Sequence, residues 1–422
     1  AKKETALTPE ERLQAALVPD WEWPYKLPEN WCWLKLVESF DNHTDSKKKI
    51  KQKDYLVKGK LAVVDQGQEL IGGYTNDVEK SYSGALPIVI FGDHTRCIKF
   101  VDFTFAQGAD AVKVLRPKPF YLPKAFYYAL QSVNIPNLGY RRHFPLFNKF
   151  SIPLPPFTEQ QRIVDRIESL FAKLDEAKEK AQAVVDSFET RKAAILYKAF
   201  TGELTAKWRE EHNISKTTWG EKKWGDFLQS IEAGKNWSAE GRPPEGTEFG
   251  VVKVSAVTWG EFDELESKTC VVAEQWNSKT QIHKGDFLFS RANTLQLVGN
   301  CVIVRNISKR LMLSDKILRF KFDEIAHPRF VLYFTRSRIY REQVEQLASG
   351  NQDGMRNISQ KNLKLVSFPI PTVMEQIEII SILDRAFAKE QQAKEAAEAV
   401  LDQSDLMKKS ILARAFRGEL GT

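Results

Sequence analysis

The chain repeats one segment of its own sequence, and this repeat limits the possible folds more than any other feature. Residues 152–204 align without a gap with residues 368–420, and 23 of the 53 aligned positions are identical. Each copy follows a proline-containing turn, carries Glu-Gln near its start and ends in Ala-Phe, one variable residue and Gly-Glu-Leu. Chance would give only a few matches, so the repeat indicates an internal duplication.

Each copy of the repeat is predicted to form one long helix. Residues 158–201 and 372–417 contain neither Gly nor Pro and are rich in Ala, Glu, Lys, Gln and Leu, which are strong helix formers. A helix of this length is a rod of roughly 65 Å, because each residue adds about 1.5 Å. The chain is therefore predicted to contain two rods of similar length.

Both helices carry signals at their ends. Thr158 with Gln161, and Thr372 with Glu375, have the spacing of a capping box, so each threonine is predicted to cap its helix. A glycine follows each helical stretch and is predicted to end it in the left-handed conformation. These two glycines are Gly202 and Gly418.

The apolar residues of the helices predict a coiled coil. From Ile163 to Phe188 they recur in alternating steps of four and three, a 3.5-residue period that suits packing against another helix. The second helix is less regular, and Glu390 and Ser404 interrupt it. The first helix leads away from one globular region and the second leads back, so an antiparallel pair is expected. The candidate helix–helix or partner-binding residues are Ile163, Ile167, Leu170, Phe171, Leu174, Val184, Phe188, Phe200, Ile379, Leu383, Phe387, Val400, Ile411 and Phe416.

The regions before the two helices have the pattern of mixed domains. Short β-like runs such as "ALPIVIFGDH" and "GDFLFSR" are bounded by turn signals, and helical stretches such as "AFYYALQSV" follow them. We therefore expect an α+β fold with two globular domains, two long antiparallel helices as a coiled-coil spacer, and an internal pseudo-twofold repeat. The expected boundaries are 1–20 for an N-terminal helical extension, 21–151 and 216–367 for the domains, and 152–215 and 368–422 for the helical segments.

Composition restricts the class of protein. With 422 residues, the chain is too long for one ordinary core. No stretch approaches the roughly 18 apolar residues of a membrane span, and "AKKETALTPEERLQ" lacks the apolar core of a signal peptide. The four cysteines are far apart and form no CxxC pair, which suits a reducing compartment. A cytoplasmic protein is expected.

The sequence holds no recognisable catalytic motif. It contains no GxGxxG, GxxxxGK[ST] or HExxH, and its six histidines are scattered singly. "LPPF" at 154–157 resembles the end of an amino-methyltransferase motif, but the preceding Asn, Asp or Ser is absent, and a rigid turn into the helix is the better interpretation. No metal site is predicted. The pattern favours a binding protein over an enzyme.

The positive charge leaves two interpretations open. The net charge is +7 and the isoelectric point is about 8.9, which fits either a surface that favours solubility or a nucleic-acid partner. Residues 46–60 contain seven lysines, which form either a solvated loop or a loop that faces phosphates. Its candidate DNA-binding residues are Lys47, Lys48, Lys49 and Lys51.

Four polar loops supply further candidates for DNA contact. "FGDHTR" at 91–96 follows a predicted strand, "GYRRHF" lies at 139–144, and "FSRANTLQ" (289–296) and "SGNQDGMRN" (349–357) lie in the second region. Arg can bind guanine bidentately, and Asn or Gln can bind adenine. The candidate residues are His94, Thr95, Arg96, Arg141 and Arg142 in the first region and Arg291, Asn293, Thr294, Gln296, Asn351, Gln352 and Arg356 in the second.

The whole order of parts resembles one family. A variable α+β region is followed by "IPLPPFTEQQRIVDRIESLFAKLDEA" and "AFTGELTAKWR", and a second variable region by "FPIPTVMEQIEIISILDRAFAKEQQA" and "AFRGEL". This arrangement resembles the DNA-specificity subunit of type I restriction–modification enzymes. "GDFLFSRANTLQLVGNCVIV" and "FGDHTR…FAQGADAVKVLRP" are similar to that family's target-recognition domains.

The resemblance implies a function and a set of partners. Each recognition domain would bind one half of a split target in double-stranded DNA, and the coiled coil would act as the spacer. Two adenine methyltransferase subunits would dock on the helices and carry S-adenosylmethionine. Two restriction subunits would supply ATP- and Mg-dependent translocation and cleavage, so this chain would hold no cofactor and no catalytic residue. Two rivals remain: a stand-alone DNA methyltransferase or nuclease with an unrecognised site, and a scaffold that joins two proteins without DNA.

Overall fold

The computed structural model describes residues 8–108, 111–216, 219–352 and 355–420, without the side chains of residues 9, 351 and 352. The chain divides into two compact units. The first comprises residues 1–182 together with 398–422, and the second comprises residues 183–397. Both units combine helices with β-sheets, so the predicted α+β fold class is confirmed.

The first unit is built on two sheets and a strand pair. A four-stranded antiparallel sheet has the order β2-β8-β5-β6, a three-stranded sheet has the order β4-β3-β7 with β3 parallel to β7, and β1 pairs antiparallel with β9. The apolar run of β5 is buried throughout, as expected for an inner strand of a covered sheet. The strands are β1 (Cys32–Lys35), β2 (Phe40–Asn42), β3 (Leu61–Val64), β4 (Gly73–Thr75), β5 (Ile88–Gly92), β6 (Ile98–Val101), β7 (Phe105–Gln107), β8 (Val112–Pro117) and β9 (Ser151–Leu154).

The second unit repeats this plan with additional strands. Its sheets have the orders β11-β19-β15-β17, β12-β14-β13-β18 and β16-β21-β20, and β10 pairs antiparallel with β22 as β1 does with β9. The strands are β10 (Gly220–Lys223), β11 (Leu228–Ala233), β12 (Ala239–Glu240), β13 (Phe249–Val252), β14 (Ser267–Cys270), β15 (Phe287–Ser290), β16 (Ala292–Asn293), β17 (Cys301–Ile303), β18 (Arg310–Met312), β19 (Ile317–Phe322), β20 (Ser349–Gln352), β21 (Met355–Asn357) and β22 (Ser367–Ile370).

The helices include both predicted long ones. The first is interrupted at Ser187, whose hydroxyl donates to the carbonyl of Ala183, a bond that bends helices; it therefore consists of two helices rather than the single one predicted. The second runs unbroken. The helices are α1 (Pro9–Ala16), α2 (Pro123–Ser132), α3 (Phe157–Asp186), α4 (Phe188–Phe200), α5 (Ala206–Glu211), α6 (Pro328–Phe334), α7 (Arg338–Leu347), α8 (Gln360–Leu363) and α9 (Val373–Ala415).

The predicted helix ends are confirmed except for one cap. Gly202 and Gly418 have φ of +79° and +77°, so each adopts the left-handed conformation. The Thr372 hydroxyl accepts a hydrogen bond from the Glu375 amide at 3.4 Å. The cap predicted at Thr158 is wrong, because α3 already begins at Phe157 and Thr158 lies inside it.

The repeated Glu-Gln fastens each long helix to the domain before it. The side-chain amide of Gln160 is buried. Its oxygen accepts from the backbone N–H of Leu122 at 2.7 Å, and its nitrogen donates to the Phe120 carbonyl at 2.9 Å. Gln376 makes the same pair of bonds, from the His327 amide at 2.8 Å and to the Ile325 carbonyl at 2.7 Å. Leu122 and His327 both precede the short helix of their unit, α2 or α6. The duplication therefore extends to matching polar contacts.

The long helices run antiparallel within each unit. In the first unit, Lys408 contacts Asp175 at 2.5 Å and Asp405 contacts Lys178 at 3.8 Å. In the second unit, Glu390 contacts Arg191 at 2.7 Å, and the Lys394 ammonium lies 4.8 Å from the centre of the Phe188 ring. Partner numbers fall in one helix as they rise in the other, so the predicted antiparallel pairing is confirmed within each unit.

Several candidate seam residues lie in the domain cores. Ile163 and Ile167 are buried with Phe416 in the core of the first unit, and Ile379 and Leu383 are buried with Phe200 in that of the second. These six residues lie near the ends of the long helices and are buried in the domain cores, so in this structure they are not exposed for contact with a partner. Phe188 is buried and Leu170, Phe171, Leu174, Val184, Phe387 and Ile411 are partly buried.

The seam position predicted at Val400 is wrong. Its side chain is 40% exposed, whereas Ala397 and Ser404 are buried and Leu401 is partly buried. Along this part of α9 the inward face therefore passes through 397, 401 and 404, in steps of four and three. The prediction failed because it selected apolar residues, and the true register includes a polar one.

Candidate DNA interface

Two of the four predicted loops come together in the first unit. The ring of His94 stacks on that of Tyr140, with centroids 4.7 Å apart and 5° between the ring planes. The Phe144 amide donates to the Asp93 carboxylate at 2.6 Å, and the His143 amide donates to the Asp93 carbonyl at 2.8 Å. Segments 91–96 and 139–144 therefore form one surface, which we call the first polar surface.

The candidate residues on the first polar surface differ in their exposure and in the hydrogen bonds of their side chains. Arg141 and Arg142 are exposed. Thr95 is exposed, and its hydroxyl donates to the Gln66 carbonyl at 2.6 Å. Arg96 has a φ of +61°, which is uncommon outside glycine, and its guanidinium donates to the Ile135 carbonyl at 2.9 Å. Arg96 thus holds the loop in place through one of its N–H groups, and the base contact predicted for it stays a prediction.

His143, which follows the two arginines in "GYRRHF", holds the loop together. Its side chain is fully buried. One ring nitrogen accepts from the Leu138 amide at 3.0 Å, and the other bonds the Asp93 carbonyl at 2.9 Å. Because both nitrogens are occupied inside the unit, His143 is excluded as a DNA contact.

The lysine-rich segment forms an ordered cationic edge. The Ile50 amide donates to the Gln107 carbonyl of β7 at 2.9 Å, and Leu56 bridges to Tyr74 of β4, so the segment lies on the three-stranded sheet. Lys47 and Lys51 are exposed and Lys49 is partly buried. The Lys48 ammonium donates to the Ser81 carbonyl at 3.1 Å. Most of the positive charge of the segment therefore faces solvent, and the bond from Lys48 also holds the segment against Ser81.

The other two predicted loops come together in the second unit. Strand β16 pairs with β21, so that Asn293 lies opposite Arg356, and the Ile358 amide donates to the Arg291 carbonyl at 2.9 Å. Segments 289–296 and 349–357 thus form a second polar surface. The Arg356 guanidinium donates to the Gly350 carbonyl at 2.6 Å. The side chains of Asn351 and Gln352, also predicted here, lie outside the described residues.

The remaining predicted residues of the second polar surface are partly or fully accessible. Gln296 is exposed, and Arg291, Asn293 and Thr294 are partly buried. The Asn293 side-chain oxygen accepts from the Thr294 amide at 2.8 Å, which fixes the amide group. Their roles in DNA contact stay predictions.

Two arginines hold this surface and the turn next to it: Arg341, which is partly buried, and Arg336, which is exposed. The Arg341 guanidinium donates to the carbonyl of Gln296 at 3.2 Å, and that of Arg336 donates to the Gly260 carbonyl at 2.8 Å. Burial lowers the pKa of both guanidinium groups from the ordinary value. Because arginine keeps its proton throughout the physiological range, these groups add positive charge next to the loops that they bond.

The sequence reasoning missed one exposed aromatic residue on each surface. Tyr140 is 87% exposed and Trp259 is 76% exposed. Trp259 lies in the turn 258–260, whose Thr258 hydroxyl accepts from the Asn293 side-chain amide at 3.3 Å, so we include this turn in the second polar surface. Tyr140 lies within the predicted loop "GYRRHF", and Trp259 lies near the end of the run "FGVVKVSAVTWG" at 249–260. An aromatic residue next to glycine in a predicted turn was the available signal.

The described residues contain neither a candidate metal site nor a candidate membrane-spanning helix. No group of three His, Cys, Asp or Glu side chains in ranges 8–108, 111–216, 219–352 and 355–420 is placed to hold a metal ion. In the same part of the chain, every helix is too short or too polar to cross a membrane.

Together, the fold and the two polar surfaces define a protein of two related α+β units, each with cationic loops of the kind that contacts nucleic acids. The profile of the type I restriction modification DNA specificity domain matches residues 28–185 and again residues 216–399. The two matches cover more than half of the chain, so it belongs to this family, with two copies of the domain.

Curated relatives are specificity subunits. The chain is 27% identical over 279 residues to the type I restriction enzyme EcoKI specificity subunit of Escherichia coli (strain K12), across 65% of this chain and 58% of that one. It is 23% identical to the Escherichia coli EcoR124I/EcoR124II specificity subunit, across 84% of this chain and 86% of that one. The chain thus spans little more than half the length of the first of these relatives.

Solved structures share the fold. The HsdS subunit from Thermoanaerobacter tengcongensis superposes with a TM-score of 0.63 at 17% identity, covering 94% of this chain and 99% of that one. A chain from a structure that concerns complex assembly and conformational transition of the type I R-M system gives a TM-score of 0.55 at 18% identity, covering 94% and 100% of the two chains. At these identities the likeness supports the fold.

Proposed function

We propose that this chain is the DNA-binding subunit of a type I restriction–modification complex and has no catalytic residues of its own. Each polar surface binds one half of a split target in double-stranded DNA. The observation that carries the proposal is the joining of four separately predicted loops into two surfaces, one in each unit. Family membership supports it, since the matched domain occurs twice.

The partners in this proposal are two methyltransferase subunits and, through them, two restriction subunits. The partner subunits hold S-adenosylmethionine, ATP and Mg²⁺. Exposed apolar side chains on α9 support a docking role, because such groups outside a core often mark protein interfaces. They are Met374 and Ile377 in the second unit and Leu406 and Met407 in the first.

Selection of duplexes from a random-sequence pool by the assembled complex tests the proposal. Two short conserved blocks with an unread stretch between them are expected. Arg291→Ala should relax one position of one block and weaken specific binding by about 1–3 kcal/mol. Arg141→Ala should do the same in the other block, and it is a better probe than Arg96→Ala, which would also release the Ile135 carbonyl.

The lysines of the cationic edge provide the matched comparison. Replacing Lys47, Lys48, Lys49 and Lys51 by Ala should weaken binding to every sequence. It should also lower the slope of log K against log salt by up to about 0.9 per lysine that contacts a phosphate. A pool that yields no conserved block, or lysine variants that change the selected sequence, would contradict the proposal.

The rival function is a stand-alone methyltransferase or nuclease. It predicts methylation or cleavage when the purified chain alone is incubated with DNA, S-adenosylmethionine, ATP and Mg²⁺. Our proposal predicts neither product until the partner subunits are added.

A further inference from the structure

The exposed tyrosine of the first polar surface is held in a fixed orientation. One face of the Tyr140 ring rests on His94, nearly parallel at a centroid distance of 4.7 Å, while the residue as a whole is 87% exposed. Asn137, three residues earlier, closes the turn by accepting from the Gly139 amide at 3.0 Å, and the exposed Arg141 follows. The free face of the ring is therefore presented to solvent beside positive charge.

The exposed tryptophan of the second polar surface is held by a different set of bonds. The turn at 258–260 is fixed on both sides of Trp259. The Thr258 carbonyl accepts from the Asn300 side chain at 2.9 Å, and the Gly260 carbonyl accepts from Arg336 at 2.8 Å. Gly260 has a φ of +88°, a conformation that only glycine adopts readily. A 76% exposed indole on such a rigid turn is ready to contact a partner without ordering the chain first.

We propose that Tyr140 and Trp259 each enter a base step of the DNA and stack on a base, one in each half-site, and kink the duplex there; Tyr140 uses the ring face that His94 leaves free. This inference rests on the proposed function, because it assigns one half-site to each polar surface. Every base offers a flat π-face on which an aromatic ring can stack. Apolar side chains that wedge between base steps bend duplexes by about 20–90°.

The surroundings favour DNA over a protein partner for these rings. Arg141 and Arg142 lie beside Tyr140, and Arg291 and Arg356 lie on the surface next to Trp259. Cations attract the phosphates on both sides of a base step, which offsets part of the free energy of unstacking. Because both surfaces combine a rigid exposed ring with arginines, the two rings are expected to act alike.

Bending of a selected duplex tests the inference. The probe is a duplex taken from a random-sequence pool by the wild-type complex, with fluorescent dyes placed on either side of one half-site or the other. Energy transfer should report a bend in each half-site. Trp259→Ala should abolish the bend in one half-site only and weaken binding about tenfold, Tyr140→Ala should do so in the other, and Trp259→Phe should keep most of the bend.

Matched controls separate insertion from a general loss of surface. Trp21 is 84% exposed and Tyr197 is 56% exposed, and neither lies on a polar surface, so Trp21→Ala and Tyr197→Ala should leave both bends and the affinity unchanged. Specific binding to a straight duplex, or bends that survive Trp259→Ala and Tyr140→Ala, would overturn the inference and leave the proposed function standing. Failure to select any duplex would instead reject the proposed function, and the inference with it.

Discussion

At the scale of single residues, the equivalent glutamates of the two repeats have different surroundings. Glu159 and Glu375 occupy matching positions, and each accepts from a tryptophan indole at 2.9 Å. Glu375 is fully buried and also pairs with Arg209 at 2.5 Å. Arg209→Ala would leave that carboxylate buried without its counter-ion, although the Thr205 hydroxyl at 2.6 Å and Trp219 would still donate to it. We therefore expect a loss of about 3–5 kcal/mol in the free energy of unfolding, measured by urea denaturation.

The first unit supplies the control for this variant. Glu159 also accepts from the exposed Asn30 side chain at 2.6 Å, and its carboxylate is partly open to water. Asn30→Ala should therefore cost about 1 kcal/mol or less. Equal losses for Asn30→Ala and Arg209→Ala would show that burial of Glu375 does not control the effect.

A histidine that caps a helix should make the stability of the second unit fall at acid pH. His327 accepts from the Arg329 amide through Nδ1 at 3.2 Å at the start of α6, which requires the neutral ring. Burial and, secondly, the Arg329 charge lower the pKa of His327 from the ordinary value of 6.5. The folded-state pKa lies below the unfolded one. The stabilisation is therefore complete above pH 6.5 and is lost as the pH falls through 6.5 toward the folded-state pKa.

His327→Asn isolates this effect, because Asn can also cap a helix but does not titrate. Between pH 7.5 and 5.5, the wild-type chain should lose more stability in urea than the variant does. The difference should be no more than about 1 kcal/mol, the usual size of a capping interaction. All other titrating groups are common to both proteins, so identical pH profiles would refute the role of His327.

At the scale of elements, the register of α9 yields a direct comparison between neighbours. Leu401 is partly buried and Val400 is 40% exposed. Leu401→Ala should lower the free energy of unfolding by about 1–2 kcal/mol, since a fully buried leucine costs about 2–5. Val400→Ala should change it by less than about 0.5 kcal/mol. A larger loss for Val400→Ala than for Leu401→Ala in urea denaturation would instead support the register that apolar periodicity predicts.

Elements set by local sequence were predictable, and those set by tertiary contacts were not. "ALPIVIFGDH" contains β5, and Thr8 with Glu11 forms the capping box of α1, because each depends on adjacent residues. The burial of Ser404 depends on the partner helix. The break at Ser187 depends on the rotamer that lets its hydroxyl bond the Ala183 carbonyl, and residue types alone report neither.

The same distinction applies to the candidate sites. The loops at 91–96 and 289–296 were recognisable because polar residues follow predicted strands. Their pairing with 139–144 and 349–357 depends on the Asp93 bonds and on the ladder between β16 and β21. Arg96 shows the limit of judging by residue type alone, because its guanidinium donates to the Ile135 carbonyl of its own unit.

At the scale of the whole molecule, the duplication gives each unit its own polar surface and its own stretch of paired helix. The helix pair contributes to both units, through 157–182 with 398–415 in the first and 183–200 with 373–397 in the second. If the pair acts as a spacer between half-sites, its length should set their separation. This remains a prediction, and helix length is the quantity to vary.

Deleting seven residues from each long helix tests the spacer. Removal of 179–185 together with 397–403 keeps the antiparallel register, because the contacts of Lys178 with Asp405 and of Arg191 with Glu390 lie outside the deletion, and a whole heptad preserves the seam. The rod becomes about 10 Å shorter, which equals about three base pairs at 3.4 Å each. Mapping of the adenines that the assembled complex methylates should show both half-sites unchanged and about three base pairs closer together.

A deletion in one helix only is the control, since it disrupts the pairing and should abolish methylation. An unchanged spacing in the double deletion would mean that the helices do not measure the distance between half-sites.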